Sequence, residues 1–224
     1  MANPIYDITP FTMLDYPGKT ACIVWFAGCN MRCGYCYNPD IVLGKGKLSY
    51  DDLFRFLDKR QGLLDAVVLS GGECTLHKDL EDLCQRLKRQ GFLVKIDTNG
   101  TRPGLLKQLM DDFLIDYVAL DFKATGLKYK NVTALNAFQH FEESLHVLMN
   151  GNIPYEVRTT VHSALLCQQD IASMAMYLSE KGYKHPFYIQ YALDDVQTLV
   201  SLERPERNIR VQEINAPLEI VERN

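Results

Sequence analysis

The chain has 224 residues, 47% of them hydrophobic and 23% charged, and a formal net charge of −4. Roughly 70% of the unfolded surface can be buried at this length, so disulfide staples are not needed, and the charge is not basic enough to point to a nucleic-acid partner. No run of eighteen apolar residues marks a membrane span, and the opening MANPIYDITPF has no basic stretch followed by an apolar one; neither a secretory signal nor a membrane partner is expected.

The seven cysteines are then expected to be cytoplasmic, reduced and available as ligands. In chain order, residues 21–27 (ACIVWFA) predict a strand that enters the segment GCNMRCGYC, residues 28–36. Gly28, Asn30, Gly34 and Pro39 argue for a loop there. Ser49 is an N-cap candidate for a helix over residues 50–61, with Leu53, Phe54 and Leu57 on one face. Residues 66–70 (AVVLS) predict a second strand, running into Ser70, Gly71, Gly72 and Glu73. Leu80, Leu83 and Leu87 mark a helix that stops at Gly91. A third strand, residues 92–97 (FLVKID), leads to Asp97, Thr98, Asn99 and Gly100. A helix marked by Leu105, Leu106 and Leu109 separates it from a fourth strand, residues 116–122 (DYVALDF), which carries Asp121 and precedes Lys123. Phe141, Leu145 and Leu148 mark the next helix, residues 155–161 (YEVRTTV) a strand, Ile171, Met174, Ala175 and Leu178 a helix, and residues 187–191 (FYIQY) the last strand. From about residue 200 the sequence is charged and aperiodic. The expected organisation is a main domain over residues 1–199 and a tail or lid over residues 200–224.

Strands alternating with helices argue for an α/β fold with a parallel sheet and right-handed crossovers. About six βα units fall short of the ~250 residues of a full eight-unit barrel, so the expectation is an incomplete, open parallel (βα)6 barrel; a flat, doubly wound sheet is the alternative. In a parallel barrel the strand C-termini share one rim, where such folds place chemistry. Four successive strands ending in polar or glycine-rich segments fit that rim.

Cys29, Cys33 and Cys36, spaced C-x3-C-x2-C, admit several readings. Small buried hydrophobes are one. A structural zinc site needs a fourth ligand, for which Cys74 and His77 are candidates. Iron–sulfur clusters are normally held by four cysteines; three leave one iron open to a non-protein ligand. By themselves Gly71 and Gly72 mark a turn, and Asp121 and Lys123 an ion pair at a strand end. Arg158, mid-strand, either points inward or serves the structure. Cys22, Cys84, Cys167 and Trp25 read as core. The five histidines lack ligand spacing, and His140 and His146 fall on an exposed helix face.

With Tyr35 before its last cysteine, the loop resembles the radical S-adenosylmethionine (SAM) signature C-x3-C-x-aromatic-C. The resemblance implies one [4Fe-4S] cluster held by Cys29, Cys33 and Cys36, its open iron chelated by the methionine part of SAM, with Tyr35 beside the cofactors. Gly71, Gly72 and Glu73 resemble the family's GGE loop, which hydrogen-bonds the SAM amino group. Asp97, Thr98 and Asn99 resemble the DTNG segment of glycyl-radical-enzyme activases, and Asp121 and Lys123 their DLK segment. Those segments imply SAM contacts and a monovalent cation near Asp97, Thr98 and Asp121. Asp15, Tyr16, Pro17 and Gly18, followed by GCNMRCGYCYNP, also resemble the activase pattern, most closely the branch that serves anaerobic ribonucleoside-triphosphate reductase. The implied partners are a glycyl-radical enzyme (anaerobic ribonucleotide reductase by preference) and a low-potential electron donor such as flavodoxin. The implied chemistry is reductive cleavage of SAM to a radical that takes a hydrogen atom from the partner's glycine. Tyr16, Tyr37 and Cys74 depart from the pattern, standing where Gly, His and Pro or Ala are commoner; Cys74 is a silent small residue or an extra redox group. Rival readings are a radical SAM enzyme acting on a small molecule, as in deazapurine biosynthesis, a non-enzymatic iron–sulfur electron carrier, and a zinc-stabilised binding module.

Overall fold

The computed structural model describes residues 3–223. Eight strands form one sheet in sequential order. β1 (Ile5–Thr12) runs antiparallel to β2 (Ala21–Phe26). From β2 onward every pair is parallel: β3 (Ala66–Gly71), β4 (Leu93–Thr98), β5 (Tyr117–Asp121), β6 (Tyr155–Val161), β7 (Phe187–Tyr191) and β8 (Ile220–Arg223). β2 to β7 are the six expected strands, and β1 and β8 extend the sheet beyond them. The doubly wound alternative is excluded, because that topology requires the strand order to reverse at a switch point. The fold is an open, parallel-dominated α/β barrel.

Helices α1 (Pro39–Leu43), α2 (Tyr50–Asp58), α3 (Leu80–Arg89), α4 (Pro103–Asp111), α5 (Gly126–Thr133), α6 (Phe138–Met149) and α7 (Gln168–Glu180) fill the connections. α2 starts as its sequence dictates: the Asp52 N–H donates to Ser49 Oγ at 3.2 Å and the Ser49 N–H returns a bond to Asp52 Oδ2 at 2.8 Å, satisfying two otherwise orphaned donors. Pro39, which argues against a helix across the cysteine loop, instead opens α1 at its first turn, where a missing N–H costs nothing.

Period-two alternation divides the strands into two faces. Cys22, Val24, Phe26, Val67, Leu69, Val94, Ile96, Val118 and Leu120 join the helices in the main core. Ala21, Ile23, Ala66 and Val68, with Trp25, Leu93 and Tyr117 beside them, form a separate small cluster on the opposite, concave face. Tyr16 completes that cluster, its ring 5.6 Å from that of Tyr117. The Asp15–Gly18 segment thus plugs the end of the barrel away from the rim.

The C-terminal segment is tied to the same body. The Leu199 and Val200 N–H groups donate to the carbonyls of Cys36 (2.9 Å) and Gly34 (3.2 Å), and β8 pairs with β7. Arg223 reaches the buried Glu156 carboxylate at 2.8 Å. Cys22 and Cys84 are buried as expected, but Cys167 is exposed; it precedes α7, and its N–H donates to Asp170 Oδ2 at 2.7 Å. His140 and His146 are exposed.

Tyr16→Ala should remove the plug and leave a cavity, lowering unfolding free energy by about 3 kcal/mol. Urea denaturation followed by circular dichroism measures this, and an unchanged midpoint would contradict the plug.

Candidate active site

In a flat sheet β2 and β7 would lie roughly 24 Å apart. Yet Trp25, Ser70, Asp97, Asp121, Arg158 and Gln190, one from each of β2 to β7, line a single cavity. The sheet therefore curls around it. The same cavity is lined by Cys29, Cys33, Tyr35, Cys36, Gly71, Gly72, Glu73, Thr98, Asn99 and Lys123, so the structure brings every expected site residue to one place.

The cysteine loop is held by its neighbours rather than by regular structure. Gly71 has φ +114°, and a Cβ there would stand 2.3 Å from the Phe26 nitrogen. A Cβ on Gly72 would stand 2.0 Å from the Gly28 carbonyl oxygen. The paired glycines let the β3 loop press backbone-to-backbone on the cysteine loop, with Gly72 N–H donating to Phe26 O and Glu73 N–H to Gly28 O, both at 2.9 Å.

Glu73, 1% exposed, locks the next loop. Its Oε1 accepts from Thr75 Oγ1 (2.5 Å) and Thr98 Oγ1 (2.8 Å), and its Oε2 from the Asn99 N–H (2.7 Å). Burial pushes this carboxyl up, opposed by those donors. Asn99 Nδ2 in turn donates to Asn30 Oδ1 at 2.9 Å, and Asn30 Nδ2 to Thr101 Oγ1 at 2.8 Å, joining the β4 loop to the cysteines.

A file of alternating charges crosses the concave face. Lys95, 2% exposed, lies 3.0 Å from Asp97. Arg158 bridges Asp97 at 3.1 Å and Asp121 at 2.7 Å, and Lys123 meets Asp121 at 3.1 Å. Arg158 reaches from β6 to β4 across β5, where Ala119 stands in register between them. Burial opposes ionisation of both carboxyls, yet Arg158, with Lys95 for Asp97 and Lys123 for Asp121, holds them below the usual range, Asp121 at about 2. Burial alone would push the Lys123 ammonium down; Asp121, Tyr35 and Cys33 keep it well above the usual lysine value. The inward and structural readings of Arg158 are one arrangement.

The space between Asp97 and Asp121, where the resemblance implies a monovalent cation, is taken by the Arg158 guanidinium, and Thr98 Oγ1 turns to Glu73 instead. Among the described residues, no three His, Cys, Asp or Glu side chains converge on a point that suits one metal ion. The fourth zinc ligand does not arrive. His77 Nε2 is engaged by the Ala27 carbonyl at 3.0 Å, while Cys74 is fully buried, outside the cavity lining, its thiol 3.6 Å from the Asp97 carbonyl. Burial pushes the Cys74 thiol well up, as suits a small core residue. Burial likewise raises Cys29 to about 11 and moves Cys33 up, so these thiols become thiolates when a cationic guest displaces the protons. A guest bordered by thiols on one side and by ammonium, guanidinium and carboxylate groups on the other fits a [4Fe-4S] cluster with an amino-acid ligand.

Trp25 lines the cavity, its indole N–H donating to Thr9 Oγ1 at 2.8 Å. Lys95 is a site residue absent from the expected set: within an apolar strand it sits two residues before Asp97, on the same face, which is where a charge partner for that carboxylate belongs. Tyr37, in the position where the activase pattern has His, is 44% exposed on the lining.

The sequence pattern of the radical SAM superfamily matches residues 23–174, more than half of the chain. The chain belongs to the radical SAM superfamily. It is 35% identical over 178 residues (76% of this chain, 73% of the other) to MJ1227 of Methanocaldococcus jannaschii, which bears the name of a glycyl-radical enzyme activating enzyme. It is 33% identical over 165 residues (70% and 68%) to the pyruvate formate-lyase-activating enzyme of Clostridium pasteurianum. It is also 32% identical over 161 residues (68% of each) to the 7-carboxy-7-deazaguanine synthase of Neisseria meningitidis. Its fold is similar to that of Streptococcus suis SuiB bound to S-adenosylmethionine, with a TM-score of 0.64 and 12% identity over 90% of this chain, which spans about half (52%) of the SuiB chain.

Three substitutions test the site as built. Gly72→Ala should force the cysteine loop away from β3 and lose most of the iron taken up on anaerobic reconstitution, read as iron per protein. Arg158→Met should leave Asp97 and Asp121 with one lysine partner each, Lys95 and Lys123, and cost about 3 kcal/mol in urea denaturation. The acid limb has a defined sign: the Asp121 value is depressed from 3.8 to about 2 by the fold, so its contribution is complete above pH 3.8 and is lost as pH falls through about 2, worth about 2 kcal/mol. Asp121→Asn should lose that part of the acid dependence.

Proposed function

We propose that this chain is an activase that binds a [4Fe-4S] cluster and SAM and generates a glycyl radical on a partner enzyme, by preference anaerobic ribonucleoside-triphosphate reductase. The observation that carries the reading is the three-thiol loop on a rim whose other sides hold, among the described residues, no further thiol or imidazole but do hold Gly71, Gly72, Asp121, Lys123 and Arg158. Two relatives named for activation of glycyl-radical enzymes support the choice of branch.

Cys29, Cys33 and Cys36 would hold the cluster, which together with SAM supplies one-electron cleavage of the sulfonium. The Gly71–Gly72 backbone, which lines the cavity, would serve the amino-acid end of SAM. Glu73 acts indirectly in this scheme, because its bonds to Thr75, Thr98 and Asn99 fix the loops. Lys123 and Arg158 outnumber the carboxylate left to them locally, which suits an anionic carboxylate beside them, and Trp25 and Tyr35 supply apolar walls that limit water. A low-potential donor such as flavodoxin, in the cytoplasm, would deliver the electron. No helix among the described residues is long and apolar enough to cross a membrane. The segment after residue 199, bonded to Gly34 and Cys36, serves as a brace for the cysteine loop rather than as a free lid.

A second reading is a small-molecule radical SAM enzyme, favoured by the similarity to a 7-carboxy-7-deazaguanine synthase. Anaerobic reconstitution with iron and sulfide, then dithionite and SAM, separates the two. 5′-Deoxyadenosine formation should depend on an added glycyl-radical enzyme, with a glycyl-radical doublet appearing in its EPR spectrum. Turnover coupled to a purine-like metabolite would favour the second reading. Alanine at Cys29, Cys33 or Cys36 should abolish SAM cleavage and lower iron content; full iron and activity in any of the three would refute the cluster assignment.

A further inference from the structure

The cysteine loop has two sides. Cys29, Met31 and Cys33 line the cavity, whereas Asn30 and Arg32, between them, do not. These two residues tie the loop to neighbours on its outer side. The Asn30 amide donates to Thr101 Oγ1 at 2.8 Å, and the next residue along, Arg102, is exposed. The Arg32 N–H donates to the Thr133 carbonyl at 2.8 Å, at the end of α5, and Lys130, one turn earlier on that helix, is exposed. Arg32 is exposed too. Its Nη1 donates to the carbonyls of Cys29 and Met31, both at 2.7 Å, which fixes a guanidinium on the back of the thiol loop.

No carboxylate answers these three cations. The segments that carry them, residues 28–39, 98–110 and 122–141, contain no aspartate or glutamate. Lys107 and Lys128 on the same segments pair with Asp111 and Asp170, but among the described residues Arg32, Arg102 and Lys130 form no ion pair. The chain as a whole carries −4 and repels an acidic protein; on this flank the sign reverses, and local charge of one sign concentrates and steers partners of the other.

We propose that the outer flank of the cysteine loop, marked by Arg32, Arg102 and Lys130, is the docking surface of an acidic protein that delivers single electrons to the cluster. The inference rests on the cluster assignment under Proposed function. A hydrogen donor has to enter the cavity, so an electron donor serving the same centre needs the other side of the loop, where the thiol-bearing segment is itself at the surface. Complementary charge raises the encounter rate and fixes orientation more than it adds affinity, which suits a carrier that docks, transfers and leaves. One electron moves: the hydroquinone anion of a flavodoxin becomes the neutral semiquinone, the cluster gains the electron, and no proton is exchanged.

The test uses the reconstituted full chain and a flavodoxin of net negative charge. Arg102→Glu combined with Lys130→Glu reverses two charges without touching a thiol or the cavity. This double variant should load the same iron and cleave SAM with dithionite at the wild-type rate. Stopped-flow oxidation of the flavodoxin hydroquinone by the wild type should slow steeply between about 0.1 and 1 M salt, where the Debye length falls from about 10 to about 3 Å. At the lower salt the double variant should react about tenfold more slowly, with little salt dependence, and calorimetric titration with oxidised flavodoxin should show weaker binding by a similar factor. Wild-type rates in the double variant, or a wild type indifferent to salt, overturn the proposal. So does an equal loss with dithionite, which makes the two residues structural. Weaker binding of the glycyl-radical enzyme with flavodoxin unaffected overturns it as well, giving the flank to the other partner. Should the double variant misfold, Arg102→Gln and Lys130→Gln replace it, each expected to slow the reaction about threefold; unchanged rates in both overturn the proposal. Failure of the wild type to assemble any cluster would instead refute the underlying assignment, and the two failures are distinguishable.

Discussion

Right-handed crossover is the constraint from which this molecule follows. A parallel strand followed by a helix returns to the sheet in one hand only, and with strands in unbroken sequential order every crossover helix falls on the same side. The other side has no helices to cover it, so the sheet curls on itself and its concave face must be closed by side chains. At one end apolar residues and Tyr16 do this. Toward the rim they give way to Lys95, Asp97, Arg158, Asp121 and Lys123, whose charges compensate one another where water is largely excluded.

The rim behaves as one piece because its loops bond to one another. Gly72 meets Gly28 by backbone, Glu73 gathers Thr98 and Asn99, and Asn99 reaches Asn30. A displacement in any one loop is thereby transmitted to the thiols. The catalytic demand on such a site is orientation and exclusion of competing reactions, with the difficult electron chemistry left to the bound cofactors. An interlocked rim meets that demand without a dedicated acid or base. Relatives named for activation of glycyl-radical enzymes and for 7-carboxy-7-deazaguanine synthesis both resemble this chain.

Much of this was legible in the sequence because the signals were local. Strand runs such as AVVLS and DYVALDF and caps such as Ser49 and Gly91 are decided by neighbours in the chain, and the thiol spacing is contained in eight residues. What escaped reading depends on remote partners. β1 carries Pro10, which weakens a strand pattern and is tolerated because β1 is an edge strand with a register shift there. β8 is four residues amid charges and becomes a strand only through β7. α5 lacks a regular apolar face in GLKYKNVT, and the burial of Tyr129 depends on where that helix docks. Cys167 looked like a core residue by type, yet its place just before α7 leaves it in solvent. The glycines of the β3 loop read as ligand-facing; the backbone they chiefly accommodate is the protein's own.

The bonds from Leu199 and Val200 to Cys36 and Gly34 bear on biogenesis. A ribosome makes the thiols early and their brace some 160 positions later, after all the central strands. Until residues 199 and 200 have been made, therefore, the thiol loop lacks one of its walls and two of the backbone contacts that hold it.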